Sequence, residues 1–218
     1  MIHVVVDLEM NPISRSLPEV RRALAEEVIE IGAVKLDENF NRIEDFQCYV
    51  KPEYSSITWH IKNLTGITDE MLEDKEKFAA AFNRFMDWIG DSDVTLYSWS
   101  NSDIHQLRNE CAYKLKDFDI QWLSAHWVDL QKVFDKELGL RNGLALKYAV
   151  GAMNKNFTGT AHTALADATN TAAILTLMQD EEAFHRTMQP LVELINPKKL
   201  SSSIGELYPE LSKLKFDE

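Results

Sequence analysis

A β-branched run at residues 4–6 that leads directly into Asp7 and Glu9 limits the fold more than any other part of the sequence. A short apolar run of this kind is typical of a strand buried on both faces of a sheet, and we predict this strand at residues 2–9. Side chains at positions i and i+2 of a strand point the same way, so the two carboxylates lie side by side at its end. Open α/β sheets bind ligands at the carboxyl ends of their strands, and the sequence therefore predicts a candidate site there.

Further strands follow in an order that is typical of an α/β protein. Residues 28–36 and 45–50 have the composition of two more strands, joined by a turn at 37–39. Strands at 94–99 and 127–130 then alternate with helical patterns. We therefore predict one mixed five-stranded α/β sheet flanked by helices, with strand 2 antiparallel to strand 1.

Helices are expected where apolar residues recur every three or four positions. These segments are 76–89, 101–113, 144–153 and 163–179. Beyond residue 180 the pattern weakens, and three serines at 201–203 are typical of a loop. We predict one domain at 1–180, followed by a helical and loop extension at 181–218 that is not a separate domain.

Composition favours a protein of a reducing compartment. The 218 residues are 45% hydrophobic, and no apolar stretch reaches the roughly 20 residues that cross a bilayer. Cys48 and Cys111 match neither a disulfide framework nor a zinc spacing, so we expect two buried thiols. Because the chain also starts without a basic signal-peptide region, we expect a cytoplasmic protein that does not interact with membranes.

Three further ionisable residues complete a set with Asp7 and Glu9. Asp103 follows the strand at 94–99 and opens a helix, while His162 lies in a loop and Asp167 lies one turn into the next helix. Each has an ordinary structural explanation when it is taken alone, because an acid in a first helical turn interacts favourably with the helix dipole. Their order along the chain and their positions at strand and helix ends carry more weight than any one of them.

In that order and position, the set resembles the DEDDh group of 3′→5′ exonucleases, which includes proofreading subunits, oligoribonuclease and RNase T. Asp7 and Glu9 match the first motif of the group, Asp103 matches the second, and His162 with Asp167 match the third. The resemblance implies a ribonuclease H-like fold and hydrolysis of phosphodiester bonds at a 3′ end.

Two longer segments strengthen the resemblance, which covers about residues 2–180. Residues 64–72 look like the segment that follows the third strand in this group. Residues 99–111 are similar to the Eri-type exoribonucleases and to the bacterial inhibitor of the sporulation kinase pathway. One departure is Ala166, where many relatives have a second aspartate, and it puts a supporting contact in doubt while sparing Asp167.

The expected chemistry agrees with this resemblance. Oxygen ligands without cysteine suit two divalent cations, Mg²⁺ or Mn²⁺, which can stabilise both the attacking water and the leaving 3′ oxygen. Asp7 is expected to bridge the ions, with Glu9 and Asp167 on the ion at the nucleophile and Asp103 in a supporting position. His162 is expected to be the general base, because imidazole is the side chain that titrates nearest neutral pH.

Substrate contacts are less sharply defined by the sequence. Met10, Asn11 and Leu64 are candidates to contact the terminal nucleotide, although Met10 and Leu64 fit a core position equally well. Trp59 and Trp99 could stack on bases, and tryptophans at such positions are more often packing anchors. Three arginines could contact phosphates or simply face solvent: Arg15, Arg21 and Arg22.

The net charge of −12, from 23 basic and 35 acidic residues, argues against a protein that coats long nucleic acids. It favours short single-stranded RNA or DNA 3′ ends as partners, with RNA preferred on the Eri-type resemblance. The alternative is a regulatory protein that keeps the fold and acts through partner contacts or self-association, using 181–218. An endonuclease is the weakest interpretation, since the sequence lacks an extended basic face.

Overall fold

The computed structural model describes six segments of the chain, which are 1–90, 93–115, 118–141, 143–153, 158–159 and 162–196. The predicted serine-rich loop at 201–203 and the end of the extension lie outside the described residues. Within them, the protein has a central β-sheet with helices packed on both faces.

The sheet contains five strands in the order β3-β2-β1-β4-β5. Strand β2 is antiparallel to both β1 and β3, while β4 is parallel to β1 and β5 is parallel to β4, which confirms the predicted mixed sheet. The strands are β1 (Ile2–Pro12), β2 (Glu26–Leu36), β3 (Arg42–Tyr49), β4 (Val94–Ser98) and β5 (Trp127–Asp129).

The helices of the described residues lie between β1 and β2 (α1), between β3 and β4 (α2–α4), between β4 and β5 (α5 and α6) and after β5 (α7–α10). They are α1 (Pro18–Ala23), α2 (Trp59–Thr65), α3 (Asp69–Leu72), α4 (Phe78–Ile89), α5 (Ser102–Lys114), α6 (Ile120–Ala125), α7 (Leu130–Glu137), α8 (Leu146–Ala152), α9 (Ala164–Leu177) and α10 (Glu181–Ile195). Each of the four helices predicted from periodicity is present, with ends that differ from the prediction by at most two residues.

Strand β1 is buried because a hydrophobic core lies on each of its faces. Val4 and Val6 pack with the phenylalanines of α4 and with α5, whereas Val5 packs on the other side with α9. Both thiols are buried as expected, with Cys48 in β3 and Cys111 in α5. The alternation along β1 places Asp7 and Glu9 on the same face as Val5, toward α9.

Helix α10 forms where the sequence pattern is weak. The Asp180 carboxylate accepts a hydrogen bond from the Ala183 N–H (3.0 Å), and Phe184 and Met188 are fully buried in the core beside α8 and α9.

The domain boundary at residue 180 stays a prediction. No described helix combines the length and the apolarity that would let it cross a membrane, and the cytoplasmic location also stays a prediction.

Candidate active site

Asp7 and Glu9 lie on the central strand, beyond Val5, where its pairing with β4 ends, and in the part that pairs with β2. In the pairing of β1 with β2, Asp7 is opposite Gly32 and Glu9 is opposite Glu30. Glu9 is only 8% exposed, and a register shift follows it directly. The two carboxylates are therefore fixed by the sheet itself rather than by a solvent-exposed strand end.

Asp103 lies in the first turn of α5, and the helix dipole does not fully explain its position. Its side chain is 4% exposed, and its Oδ1 accepts a hydrogen bond from the Leu8 N–H at 3.0 Å. Leu8 lies between the two carboxylates of β1, so this bond brings Asp103 to the same end of the strand. The second motif thus meets the first through the backbone of β1.

The third motif approaches from α9. His162 is exposed and has a φ of 65°, a left-handed backbone conformation that a residue with a side chain rarely adopts. Asp167 lies one turn into the helix and receives a backbone hydrogen bond from His162. One ligand atom each from Glu9, His162 and Asp167 lie within 4.8 Å of one another. The structure thereby brings all five predicted site residues to one end of β1.

The sequence analysis missed Glu30, which is fully buried beside this cluster. Its Oε2 accepts a hydrogen bond from the N–H of Ala164, the first residue of α9, at 3.2 Å, and its Oε1 accepts one from Gln47 Nε2 at 2.7 Å. Glu30 therefore caps the helix that carries Asp167. A lone acid inside the apolar run at 28–36 was the signal that could have identified it.

Gly32, two residues further along β2, allows the same helix to approach closely. A Cβ atom at Gly32 would lie 2.1 Å from the backbone nitrogen of Leu165 and 2.2 Å from the carbonyl carbon of Ala164. Only a glycine leaves room for the first turn of α9 against the strand. Gly32 and Glu30 are the cross-strand partners of Asp7 and Glu9, so β2 positions α9 directly over the two carboxylates.

Asn170 holds the segment that precedes His162. Its Nδ2 donates to the carbonyls of Thr158 (3.0 Å) and Ala166 (2.7 Å), and its Oδ1 accepts from the Thr158 N–H (3.1 Å). Ala166, the residue that departs from the family pattern, is buried under Gly159. Asn170 therefore ties residue 158, which lies shortly before His162 in the sequence, to α9.

The carboxylates of the site raise one another's pKa. Burial, with the charges of Asp167 and Glu30, raises the pKa of Glu9 to about 8. Burial also raises the pKa of Asp103 to about 7, against the hydrogen bond from Leu8. The pKa of Asp7 is raised well above its ordinary value by burial and by the Asp103 and Asp167 charges. Charged together, these groups need a cation.

The donor set fits a divalent cation. Asp167 Oδ1 is buried and has no hydrogen-bond partner among the described residues, which leaves one carboxylate oxygen directed at the cluster. All of the side-chain donors except the His162 imidazole are carboxylate oxygens, the ligands that Mg²⁺ and Mn²⁺ prefer. Asp7, Glu9, Asp103 and Asp167 are the residues that would hold such ions.

The three residues predicted to contact the substrate lie in different environments. Met10 packs partly buried against the core that contains α4, while Leu64 is 38% exposed on α2. Asn11 is fully buried, with Nδ2 donating to the Ser56 carbonyl (3.1 Å) and Oδ1 accepting from the Thr58 N–H (3.0 Å). The Asn11 side chain therefore holds the segment before α2, and its predicted substrate contact receives no geometric support.

The two tryptophans also differ. Trp99 is 7% exposed, and its indole N–H donates to the Leu144 carbonyl at 2.9 Å, so it is a packing anchor. Trp59 is 80% exposed at the start of α2. Arg22 pairs with Glu19 on α1, whereas the side chain of Arg15 is exposed in the loop before it.

The sequence and the fold both match known exonucleases. A family model described as an exonuclease, the RNase T type, matches residues 4–175. The probable 3′-5′ exonuclease KapD of Bacillus subtilis is 24% identical over 166 residues, which cover 75% of this chain and 78% of KapD.

Solved structures agree in fold. The nuclease domain of 3′hExo, a DEDDh family member bound to rAMP, has a TM-score of 0.71 and 21% identity, and the match covers 84% of this chain and 94% of that domain. Escherichia coli exonuclease I with a dT13 oligonucleotide has a TM-score of 0.66 and 22% identity, and the match covers 89% of this chain and 43% of that enzyme. The chain therefore belongs to the RNase T exonuclease family within the DEDDh superfamily and is a 3′→5′ exonuclease.

Proposed function

We propose that this enzyme removes nucleotides from the 3′ end of single-stranded nucleic acid, preferring RNA, in a reaction that depends on two divalent cations. One observation carries the proposal: the buried carboxylates of Glu9 and Asp103 and the half-buried carboxylates of Asp7 and Asp167 meet beside an exposed His162, with Asp167 Oδ1 unpaired among the described residues. A purely structural cluster has no physical reason to keep these repelling charges.

The carboxylates have distinct tasks in this proposal. Asp7, on the central strand, would be a ligand to both ions, Glu9 and Asp167 would complete the site nearest to His162, and Asp103 would support the second ion from α5. Exonucleases of this family use divalent metal ions. When bound, such ions stabilise negative charge on the attacking and the leaving oxygen. Whether the ions are Mg²⁺ or Mn²⁺ is an outcome of the test below.

His162 is the general base of the proposed reaction. Its exposed imidazole lies beside Glu9 and Asp167, and its left-handed backbone directly precedes Thr163, the N-cap residue of α9. The imidazole takes a proton from water as the water oxygen bonds to phosphorus and the bond from phosphorus to the 3′ oxygen breaks. The products are a nucleoside 5′-monophosphate and a strand one residue shorter, with a free 3′ hydroxyl.

The preference for RNA rests on likeness to the Eri-type branch. The 3′hExo domain, bound to a ribonucleotide, is matched over nearly its whole length, whereas less than half of exonuclease I, bound to DNA, is matched. A protein distinguishes RNA from DNA through contacts to the 2′ hydroxyl. Direct comparison of the two sugars therefore decides this part of the proposal.

The test is digestion of 5′-labelled single-stranded RNA and DNA of equal sequence, with Mg²⁺, Mn²⁺ or EDTA. We expect a ladder that shortens from the 3′ end, runs faster on RNA and disappears with EDTA or in Asp7→Ala. His162→Ala should lose most turnover, about 100-fold or more, while strand binding persists.

Two results would contradict the proposal. Absence of hydrolysis under every condition would favour the regulatory alternative, in which residues 181–218 bind a partner. Full activity in His162→Ala would remove the imidazole from the mechanism. An exposed-charge variant, Arg186→Glu on α10, serves as the folding-matched control and should digest like the parent.

A further inference from the structure

Two segments of this acidic chain, one around the end of β1 and one leading into and through α2, contain no acidic residue, as does the longer stretch 138–166. The sequence has 35 Asp and Glu among 218 residues, about one in six, so that 24 average residues would include about four. Residues 10–18 and 54–68 together make up 24 residues and include none. We refer to them as the acid-free segments.

The acid-free segments form one surface because Asn11 and Ser55 join them. Asn11 bonds through its side chain to the Ser56 carbonyl and the Thr58 N–H, at 3.1 and 3.0 Å, and the Ser14 N–H donates to Ser55 Oγ at 2.7 Å. Asn11 is fully buried under this junction. Segments far apart in the sequence therefore present one continuous face.

This face begins at the active site. Asn11 follows Glu9 by two positions on the same strand, a separation of about 7 Å in extended backbone. Helix α2 starts directly after Thr58, whose hydroxyl accepts a hydrogen bond from the Ile61 N–H (3.4 Å). The surface thus connects the carboxylates of β1 with the exposed side of α2.

The exposed groups on this face have the chemistry that binds single-stranded nucleic acid. Trp59 is 80% exposed, far more than a packing anchor such as Trp99. Arg15 and Lys62 are exposed, and neither is paired with a carboxylate in the described part of the chain. Proteins that bind single strands combine aromatic platforms for bases with cations that follow the phosphates.

Two acids at the borders of the second segment, Glu53 and Asp69, have partners within the chain. The Asp69 carboxylate accepts a hydrogen bond from the Ile57 N–H at 2.9 Å, at the start of α3. Glu53 pairs with Lys77 and Lys114, at 3.3 and 3.1 Å. Glu53 is therefore neutralised by two lysines, and the Asp69 carboxylate is bound to the backbone of this face.

We propose that the acid-free surface, residues 10–18 and 54–68, binds the nucleotides on the 5′ side of the bond that is cut. Trp59 stacks on one base, and Arg15 and Lys62 lie near phosphates of the strand. The inference rests on the proposed function and adds the path of the strand to it. It also explains how an acidic enzyme can hold an anionic substrate.

The test compares a dinucleotide with a 5′-labelled ten-nucleotide strand of the same sugar. Trp59→Ala should raise KM for the longer strand about 10-fold, with kcat little changed, because base stacking on an aromatic side chain is lost. Trp59→Phe should recover most of that loss. The strand should also quench the fluorescence of the parent more than that of Trp59→Phe, because Trp59 is the exposed indole.

Charge reversals test the phosphate contacts. Arg15→Glu and Lys62→Glu should each weaken binding of the ten-nucleotide strand, and each should lower the slope of log binding constant against log salt by about one. Arg186→Glu, which reverses an exposed charge on α10, is the matched control and should change neither quantity. All losses should be larger for the longer strand than for the dinucleotide.

The outcomes separate this inference from the proposed function. If the parent shortens strands and all surface variants behave like Arg186→Glu, the strand path is wrong and the exonuclease proposal stands. Equal losses of binding for the dinucleotide and for the longer nucleic acid would also overturn the proposed path of the nucleic acid. If the parent neither binds nor shortens any strand, both proposals fail.

Discussion

Two clusters of carboxylates, most of them buried or half-buried, lie in the described part of this protein, and they differ in where their cation comes from. The site cluster comprises Asp7, Glu9, Glu30, Asp103 and Asp167. The Lys114 cluster comprises Glu27, Glu53 and Glu110, whose oxygens lie 3.0, 3.1 and 2.8 Å from Lys114 Nζ. Lys114 joins α5 to β2 and to the segment after β3.

The Lys114 cluster carries its own cation. Although burial acts to lower it, the charges of Glu110 and Glu27 raise the pKa of the Lys114 ammonium. Backbone N–H groups of Tyr54 and Val28 satisfy further oxygens of Glu27 and Glu110. The carboxylates of this cluster therefore have partners within the chain.

The site cluster has no such partner in the described residues, where no lysine or arginine forms an ion pair with it. Burial raises the pKa of Asp103 to about 7 and that of Glu9 to about 8 instead. Buried acids alone therefore do not indicate an ion site. Buried acids that lack a cation from the chain itself do indicate one, because their mutual repulsion is then relieved by protons or by a bound ion.

Removal of the internal cation should have the largest effect. We expect Lys114→Met to lower the free energy of unfolding by about 3–5 kcal/mol, because Glu27 and Glu110 remain buried without their partner. Urea denaturation measures this loss. Lys132→Met removes an exposed lysine of α7 that pairs with Asp129 of β5, and it should lower the free energy of unfolding by less than about 1 kcal/mol. Similar losses in both variants would show that the buried cluster does not depend on Lys114.

Removal of one site carboxylate should, in contrast, stabilise the metal-free protein. The pKa of Glu9 is higher in the folded protein, where burial raises it to about 8, than its ordinary 4.5, so the metal-free protein loses stability as pH rises between these values. In EDTA, Glu9→Gln should stabilise the protein by on the order of 3 kcal/mol at about pH 9 and by almost nothing at about pH 4. Glu44→Gln, at an exposed position of β3, should change little at either pH. A destabilised Glu9→Gln at high pH would contradict the electrostatic strain assigned to the site.

The site cluster also depends on the approach of α9, whereas the Lys114 cluster does not. Gly32→Ala would place a Cβ about 2 Å from the backbone of α9, so the helix must shift. We expect a loss of about 2 kcal/mol in stability together with a larger loss in kcat, since a displaced Asp167 no longer meets Glu9. Gly151→Ala in α8 is the control, because a Cβ there meets nothing within 4 Å. Unchanged turnover in Gly32→Ala would show that the position of α9 does not limit the reaction.

Much of this organisation was predictable because it is local. The β-branched run predicts β1, the periodicity predicts α4 and α9, and the five motif residues meet where the strand and helix ends suggest. The strand at 2–9 was predicted too short, because Met10, Asn11 and Pro12 have a turn-like composition. They are in fact paired with residues 26–28 of β2.

What could not be predicted depends on contacts distant in sequence. Glu30 caps Ala164 across 134 positions, and nothing in the residues around Glu30 specifies that contact. The same holds for Asn11, whose partners lie near residue 56, and for Lys114, which gathers three acids from separate segments. Periodicity identifies a face, whereas helix docking and cross-strand register decide what that face meets.

The smallest expected effect is the response to an added cation, and it compares the two clusters directly. At ten times its dissociation constant, Mg²⁺ or Mn²⁺ should stabilise the parent by about 1.4 kcal/mol, measured as a rise in Tm. Asp7→Asn should lose this response, because one charge of the bridging position is removed. Glu53→Gln should keep it, because the Lys114 cluster already holds its cation. A response that persisted in Asp7→Asn but disappeared in Glu53→Gln would place the added ion at the wrong cluster, and the distinction between an internal and an external cation would then fail.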